Sequence, residues 1–264
     1  MRAQGTVCIT GASSGIGESF ARQYAARGYS LLLHGRRKEK LEALCEELKS
    51  RHGIEAEFVL AELSRPDGVL ALEQKLRSIP NLEVLVNNAG YGLSTSFTNG
   101  SIEAQEEMVH THVNATIRLT HAVLPGMRRR NSGTIINVSS IAGFLVGPKS
   151  ATYCATKGYI TSFTESLYLE LAGSGVRLQA LCPGYTRSDF HARMGMDTSG
   201  EFFRHFMSAD DVVKASLKAI EKGTVVCIPG FRYKLIALAA RFIPRKLYYW
   251  LANRTQGTRL RRVE

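Results

Sequence analysis

The chain has 264 residues, of which 44% are hydrophobic, so length and composition predict one α/β domain with one substantial core. Its five cysteines include no Cys-x-x-Cys pair, and its histidines lack metal-ligand spacing, which predicts reduced cytoplasmic thiols and no metal site. The net charge of +11 lies mostly near the C-terminus, because residues 228–264 hold nine Lys or Arg and one acid. No apolar run approaches the ~18 residues of a membrane span, and no signal peptide is expected before the first strand.

The first predicted elements are a strand, a glycine-rich turn and a helix. Residues 6–10 are β-branched and apolar, and the helical stretch 18–27 ends at Gly28. Between them, three glycines would permit a tight turn, close approach of a pyrophosphate and packing of the helix on the strand. The helix N-terminus would supply free N–H groups to the phosphates. The turn consists of Gly11, Ala12, Ser13, Ser14, Gly15, Ile16 and Gly17.

Strand and helix patterns then alternate along the chain. Strands are predicted near 6–10, 30–34, 54–60, 82–87, 133–139, 176–182 and 224–228. Helices are predicted near 15–27, 38–51, 66–78, 101–130, 150–172 and 209–222. This order predicts a doubly wound parallel sheet of about seven strands over residues 1–230, a Rossmann fold with helices on both faces. Its ligand cleft would lie at the carboxyl ends of the strands.

A serine, a tyrosine and a lysine carry the chemistry. Tyr153 and Lys157 are four residues apart on a predicted helix, so the ammonium would lie near the phenol. A phenol titrates near pKa ~10 and becomes a useful acid or base when a cation lowers that value. Ser140 follows the predicted fifth strand and could hydrogen-bond a carbonyl oxygen within reach of the phenolic proton.

Together these motifs resemble the short-chain dehydrogenase/reductase family, in its compact single-domain branch. The resemblance covers about residues 5–230 and carries five motifs in the family's order. They are the glycine turn, Asn87-Asn88-Ala89-Gly90 after the fourth strand, Asn114, Ser140 with Tyr153 and Lys157, and Pro183-Gly184 after the sixth strand.

The resemblance implies hydride transfer between a nicotinamide cofactor and a carbonyl or alcohol. Tyr153 would be the general acid, Ser140 would bind the carbonyl oxygen, and Lys157 would bind the ribose and lower the pKa of Tyr153. Asn114 would hold a water that links Lys157 to solvent. The implied cofactor contacts are Gly11, Ser13, Ser14, Gly15, Ile16, Gly17, Arg36, Arg37, Glu62, Leu63, Asn88, Ala89, Gly90, Tyr153, Lys157, Pro183, Gly184 and Thr186. A non-catalytic NADP(H)-binding sensor or scaffold is the alternative.

The end of the second strand favours NADP(H) over NAD(H). No carboxylate stands where an NAD enzyme would bind the ribose 2′-hydroxyl, whereas Arg36 and Arg37 would attract a 2′-phosphate. The alternative is a basic loop that merely begins the next helix. At the third strand's end, Glu62-Leu63 departs from the family's aspartate followed by a hydrophobic residue, which puts that adenine contact in doubt.

Two segments bear on the substrate and on partners. Residues 185–208 would form a lid, and their apolar residues suit a lipophilic substrate or, alternatively, an amphipathic helix packed on the body. These residues are Phe190, Met194, Met196, Phe202, Phe203, Phe206 and Met207. Thr186-Arg187-Ser188 is loosely similar to bacterial relatives of long-chain 3-oxoacyl reductases and 17β-hydroxysteroid dehydrogenases.

The basic C-terminal extension, residues 231–264, reads as two short amphipathic helices separated by Pro244. Three interpretations stay open: packing over the substrate cleft, a subunit contact, and peripheral contact with an anionic membrane through residues 231–253. Nucleic-acid binding is not expected, because the basic residues alternate with large apolar ones. The family's habit predicts a homo-oligomer through the helices near 101–130 and 150–172.

Overall fold

A computed structural model describes residues 4–187, 206–250 and 252, and its centre is a parallel sheet. Seven strands hydrogen-bond in the order β3-β2-β1-β4-β5-β6-β9, and every pair is parallel. They are β1 (Gln4–Thr10), β2 (Tyr29–Gly35), β3 (Ala56–Leu60), β4 (Leu82–Asn87), β5 (Gly133–Val138), β6 (Val176–Leu181) and β9 (Val226–Cys227). The predicted doubly wound sheet is confirmed.

Helices cover both faces of this sheet. They are α1 (Gly15–Ala25), α2 (Lys38–His52), α3 (Pro66–Arg77), α4 (Ile102–Val109), α5 (Ala115–Arg129), α6 (Ala151–Glu170), α7 (Ala209–Glu221) and α8 (Phe231–Phe242). Local signals mark several ends: Pro66 opens α3, Gly53 ends α2 at φ 64°, and the Ser208 hydroxyl accepts from the Asp211 N–H at the start of α7.

Alternating strand residues feed two hydrophobic cores. Val7 and Ile9 of β1 belong to the core that includes residues of α1, α2 and α7, whereas Cys8 belongs to the core that includes residues of α3 and α5. This alternation follows from the period of two in a strand. The strand order reverses between β1 and β4, and ligands of open α/β sheets bind in the crevice outside such a switch point.

The predicted helix over 101–130 is interrupted. A π-helical turn at His110–Asn114 lies between α4 and α5. Such wide turns insert an extra residue into the helical repeat and therefore rotate the side chains that follow. This rotation decides which side chains of the turn face the interior.

The carboxyl-terminal part of the described chain is helical on both sides of Pro244. Helix α8 ends at Phe242, and a second helical stretch spans residues 245–250. Within the described ranges, no helix is both long and apolar enough to cross a bilayer. The separation of residues 231–264 from the body at residue 230 stays a prediction.

Only the two ends of the predicted lid over 185–208 are described. A short parallel ladder joins β7 (Thr186–Arg187) to β8 (Met207–Ser208), and the rings of Tyr185 and Phe206 stack 4.8 Å apart. The predicted apolar lid residues between 188 and 205 lie outside the described part of the chain.

Candidate active site

The glycine turn between β1 and α1 lies at one end of a large cleft at the carboxyl edge of the sheet. Gly11 and Gly15 have φ of 66° and 59°, which is the left-handed region that glycine tolerates. A Cβ at Gly17 would lie 2.3 Å from the Gly11 carbonyl oxygen, so any side chain there would clash with the backbone of the turn. Ser14 precedes α1 without capping it through its side chain, which leaves the first N–H groups of α1 for another acceptor.

Basic and hydroxyl groups meet at the end of β2. The Arg37 guanidinium donates to Ser13 Oγ at 3.0 Å and to Ser14 Oγ at 2.7 Å, and all three residues line the cleft. Arg36 Nη1 pairs with Glu62 Oε2 at 3.2 Å. A guanidinium and two hydroxyls at one point are a donor set that suits a phosphate group.

The next stretch of cleft wall carries the departure at Glu62-Leu63. The Glu62 carboxylate accepts from Arg36 and from the Ser64 N–H at 3.4 Å. Leu63 is only 3% exposed, and its side chain belongs to the hydrophobic core. The side chains of both residues therefore have partners within the protein, although both residues border the cleft.

The loop after β4 is attached to the end of β1. Asn88 Nδ2 donates to the Thr10 and Gly11 carbonyls at 2.9 and 3.2 Å, while Thr10 Oγ1 accepts from the Asn88 and Ala89 N–H groups. The described residues Asn88, Ala89 and Gly90 all line the cleft. This motif thus holds the glycine turn in place as well as bordering the site.

Ser140, Tyr153 and Lys157 all line this cleft. Ser140 follows β5, and its hydroxyl hydrogen-bonds Tyr153. Lys157 Nζ donates to the Val138 carbonyl at 2.9 Å and lies 5.7 Å from the centroid of the Tyr153 ring. A Cβ at Gly143 would lie 2.8 Å from the Lys157 carbonyl oxygen, so this glycine permits close approach of the loop after β5 to α6.

Burial dominates the electrostatics of this group. It raises the pKa of Tyr153 to about 12, and the hydrogen bond from Ser140 acts in the opposite direction. Burial also lowers the pKa of Lys157 to about 8. Ser140 is thus the group whose contact lowers the pKa of Tyr153, and burial outweighs it. The lowering of the Tyr153 pKa by Lys157 stays a prediction.

Asn114 is the one predicted catalytic residue that the structure does not bring to this group. Its side chain is exposed, and its Nδ2 donates to His110 Nδ1 at 2.8 Å on the outer side of the π-helical turn. Residues two apart in a helix point in different directions, so His112 faces inward while its neighbours at 110 and 114 face outward. The role of Asn114 in holding a water that links Lys157 to solvent stays a prediction.

His112 occupies the interior position beside Tyr153 and Lys157. It is 2% exposed, and its ring meets the Tyr153 ring edge-on with centroids 5.8 Å apart. A Cβ at Gly90 would lie 2.8 Å from His112 Nε2 and 3.6 Å from Lys157 Nζ, so these groups converge on one point. Burial, reinforced by the charge of Lys157, holds the pKa of His112 well below its usual range.

The hydrogen bonds of His112 define its tautomer. The Tyr91 N–H donates to Nε2 at 3.0 Å, so Nδ1 carries the proton and donates to Thr156 Oγ1 at 2.9 Å. The Thr156 hydroxyl in turn donates to the Tyr153 carbonyl at 2.9 Å. His112 thus joins the loop after β4 to the first turn of α6. Sequence reasoning missed it because the spacing of His112 and Asn114 does not reveal which of them faces inward.

The C-terminal helices form the opposite wall of the cleft. Tyr233 packs over Gly184, where a Cβ would lie 2.3 Å from the ring, and its hydroxyl donates to the Tyr185 carbonyl at 3.2 Å. The Tyr248 hydroxyl donates to the Val146 carbonyl at 2.7 Å. Cleft-lining residues on this side include Pro183, Gly184, Thr186, Ile236, Ala239 and Ile243. The two tyrosine anchors join residues far apart in sequence, and no local pattern indicated them.

Comparisons with known proteins agree with this geometry. A model of the short chain dehydrogenase family matches residues 5–198. Rat 17-beta-hydroxysteroid dehydrogenase type 3 is 31% identical over 244 residues, which cover 91% of this chain and 77% of that protein.

Two solved structures are similar over nearly the whole chain. A short-chain dehydrogenase from Sphingobium yanoikuyae in complex with NADPH is 34% identical, with a TM-score of 0.82 and coverage of 90% and 94% of the two chains. The bulky-bulky ketone specific alcohol dehydrogenase from Comamonas testosteroni is 28% identical, with a TM-score of 0.77 and coverage of 97% and 94%. The sheet, the cleft and the family match together show that this chain belongs to the short-chain dehydrogenase/reductase family of oxidoreductases.

Proposed function

We propose that the protein is an NADP(H)-dependent carbonyl reductase, or alcohol dehydrogenase in the reverse direction, that acts on a lipophilic substrate with Tyr153 as general acid and base. The observation that carries this proposal is the convergence of Ser140, Tyr153 and Lys157 on the cleft that the glycine turn enters. A nicotinamide nucleotide, when bound, supplies or accepts the hydride.

The residues of the cleft fit such a nucleotide. The left-handed glycines and the uncapped start of α1 would hold the pyrophosphate, and the loop Asn88-Ala89-Gly90 would border the nucleotide beside it. The side chain of Lys157 would bind the nicotinamide ribose. The site thus supplies donors for phosphate at one end and a proton donor at the other.

Tyr153 holds and moves the proton in this mechanism. With its pKa near 12, its hydroxyl stays protonated at neutral pH and can donate to a carbonyl oxygen that gains negative charge. The Ser140 hydroxyl lies within hydrogen-bond distance of the Tyr153 hydroxyl, so by rotating its O–H it can donate to the same oxygen instead. The buried ammonium of Lys157 would stabilise the phenolate that the transfer leaves behind.

The preference for NADP(H) is supported by the donor set at the end of β2. Arg37 together with Ser13 and Ser14 would surround a 2′-phosphate, and Arg36 balances the nearby charge of Glu62. The similar enzyme from Sphingobium yanoikuyae is bound to NADPH, which agrees with this preference.

A lipophilic substrate is supported by the C-terminal wall. Ile236 and Ala239 of α8, with Ile243 just beyond it, line the same cleft as the catalytic group, and an apolar wall favours an apolar ligand. The similar proteins named for a steroid and for bulky ketones are consistent with this substrate class.

A homo-oligomer is also part of the proposal. Tyr159, Tyr168 and Leu169 of α6 are 44%, 45% and 71% exposed, and a second copy would cover this apolar surface. Light scattering of the purified chain should give a dimer or a tetramer, whereas a monomer at micromolar concentration would contradict this part.

The function is tested by NADPH oxidation against a panel of carbonyl compounds. The panel should contain steroids, bulky aromatic ketones, 3-oxoacyl thioesters, quinones and small aldehydes, each measured with NADPH and with NADH. We expect turnover of at least one bulky apolar ketone, faster with NADPH, and none by the Tyr153→Phe variant as a matched blank. Turnover confined to small charged aldehydes would overturn the lipophilic substrate, and absence of NADPH binding would overturn the enzyme itself.

A further inference from the structure

Helix α8 carries an apolar stripe that faces away from the protein. Phe231, Leu235, Leu238 and Phe242 follow the spacing i, i+4, i+7, i+11 and are 73%, 49%, 55% and 74% exposed. The buried positions of the helix are the small residues Ala237 and Ala240 instead. The usual arrangement of an amphipathic surface helix is thus reversed, since its largest apolar side chains face outward.

Basic and aromatic residues accompany this stripe. Lys234 and Arg241 lie three residues from stripe members, on one edge of it, and both are exposed. In the helical stretch 245–250, Tyr249 and Trp250 are each 52% exposed. Large apolar side chains edged with Lys or Arg and with Trp or Tyr are the residues that proteins place at a lipid headgroup boundary.

The charge distribution favours a lipid surface over a second copy of the chain. Residues 228–250, which the structure describes, contain five Lys or Arg, all exposed, and no Asp or Glu. A two-fold contact through this face would set like charges against like charges, because each copy presents the same patch. An anionic bilayer would supply both the opposite charge and an apolar layer for the stripe.

We propose that the outer face of α8, formed by Phe231, Leu235, Leu238 and Phe242 with Lys234 and Arg241, docks the protein on anionic lipid membranes. The adjacent edge of the same helix, through Ile236 and Ala239, lines the catalytic cleft together with Ile243 just beyond the helix. One helix, about 10 Å thick with its side chains, therefore separates the lipid surface from the cleft. The substrate class that follows is a carbonyl compound dissolved in the bilayer, and this second part rests on the proposed function.

The experiment is co-sedimentation of the full chain with vesicles of phosphatidylcholine alone or mixed with phosphatidylglycerol. Leu235→Glu/Leu238→Glu should lower partitioning about hundredfold, since each exposed leucine contributes about tenfold when it enters lipid. Lys234→Gln/Arg241→Gln should lower it severalfold per charge on the mixed vesicles only. The matched control is Leu60→Glu/Leu70→Glu, and it should sediment like the wild type. These two leucines are each 45% exposed and lie outside α8, on the edge strand β3 and on α3.

Equal sedimentation of the wild type and Leu235→Glu/Leu238→Glu, or no sedimentation of the wild type, would overturn the docking surface. If the same variant instead lowers the oligomer mass in light scattering, the face is a subunit contact and the proposal is wrong. Sedimentation needs no turnover, so a protein that binds vesicles and reduces nothing keeps its docking surface while losing the proposed function. Rates on a water-soluble ketone should be equal in wild type and variant, whereas rates on a ketone embedded in vesicles should fall about as far as partitioning.

Discussion

The two walls of the cleft are built in different ways. The nucleotide wall consists of strand ends, a glycine turn and polar side chains of separate loops that hydrogen-bond one another. The opposite wall consists of two C-terminal helical segments, and one tyrosine hydroxyl of each donates to a backbone carbonyl 48 or 102 residues away in sequence. In the proposed function, the first wall binds the nucleotide and carries the reacting groups, and the second contacts the substrate. Variants on each wall should therefore change different quantities.

The largest expected effect is on the reaction itself. Tyr153→Phe removes the proton donor while keeping the ring against His112, so kcat should fall ~10² to 10⁴-fold with NADPH affinity nearly unchanged. Stopped-flow turnover together with NADPH fluorescence titration separates the two quantities. A variant that keeps more than a tenth of wild-type turnover would remove Tyr153 from the mechanism.

The buried ammonium of Lys157 should lower the free energy of unfolding. Burial lowers the Lys157 pKa from 10.5 to about 8, so below pH 8 the folded chain carries a desolvation penalty of about 3 kcal/mol. Between pH 8 and 10.5 the folded state binds fewer protons than the unfolded state, so this contribution to stability rises with pH. Relative to Lys157→Met, the wild-type free energy of unfolding should increase by about that amount, measured by urea denaturation. If the difference in free energy of unfolding between the wild type and Lys157→Met stayed constant between pH 8 and 10.5, Lys157 would not be a buried ammonium.

The link between the nucleotide loop and the catalytic helix is tested at His112, a positioning residue. His112→Ala should lower kcat by up to about 10²-fold and raise the KM for NADPH, because both Tyr91 and Thr156 lose their partner. Thr156→Val removes only the hydrogen bonds that connect His112 to Tyr153, so it should lower kcat without changing the KM for NADPH. If His112 served only the stability of the fold, kcat would fall equally in His112→Ala and Thr156→Val, in proportion to the drop in their melting temperatures. His112→Asn would then restore no activity.

The smallest expected effect concerns the choice of cofactor. Arg37→Ala removes the guanidinium beside Ser13 and Ser14 and should raise the KM for NADPH about tenfold or more, with little change for NADH. Arg36→Ala is the control. It should raise the KM for NADPH less, because the charge of Arg36 is already paired with Glu62. Steady-state kinetics with both nucleotides would exclude this assignment if the two KM values rose together.

Sequence patterns alone predicted the sheet, the order of its elements and most of the residues that line the nucleotide wall. Strand–turn–helix signals and the i, i+4 spacing of Tyr153 and Lys157 are local rules, and each holds in the structure. The folded chain was needed to show that the His112 side chain packs against Tyr153 whereas the Asn114 side chain is exposed, because the π-helical turn changes the rotation at that point. It also decided that α8 lines the cleft on one edge and leaves its apolar stripe outward. Both outcomes depend on contacts between segments distant in sequence, and periodicity within one segment carries no information about them.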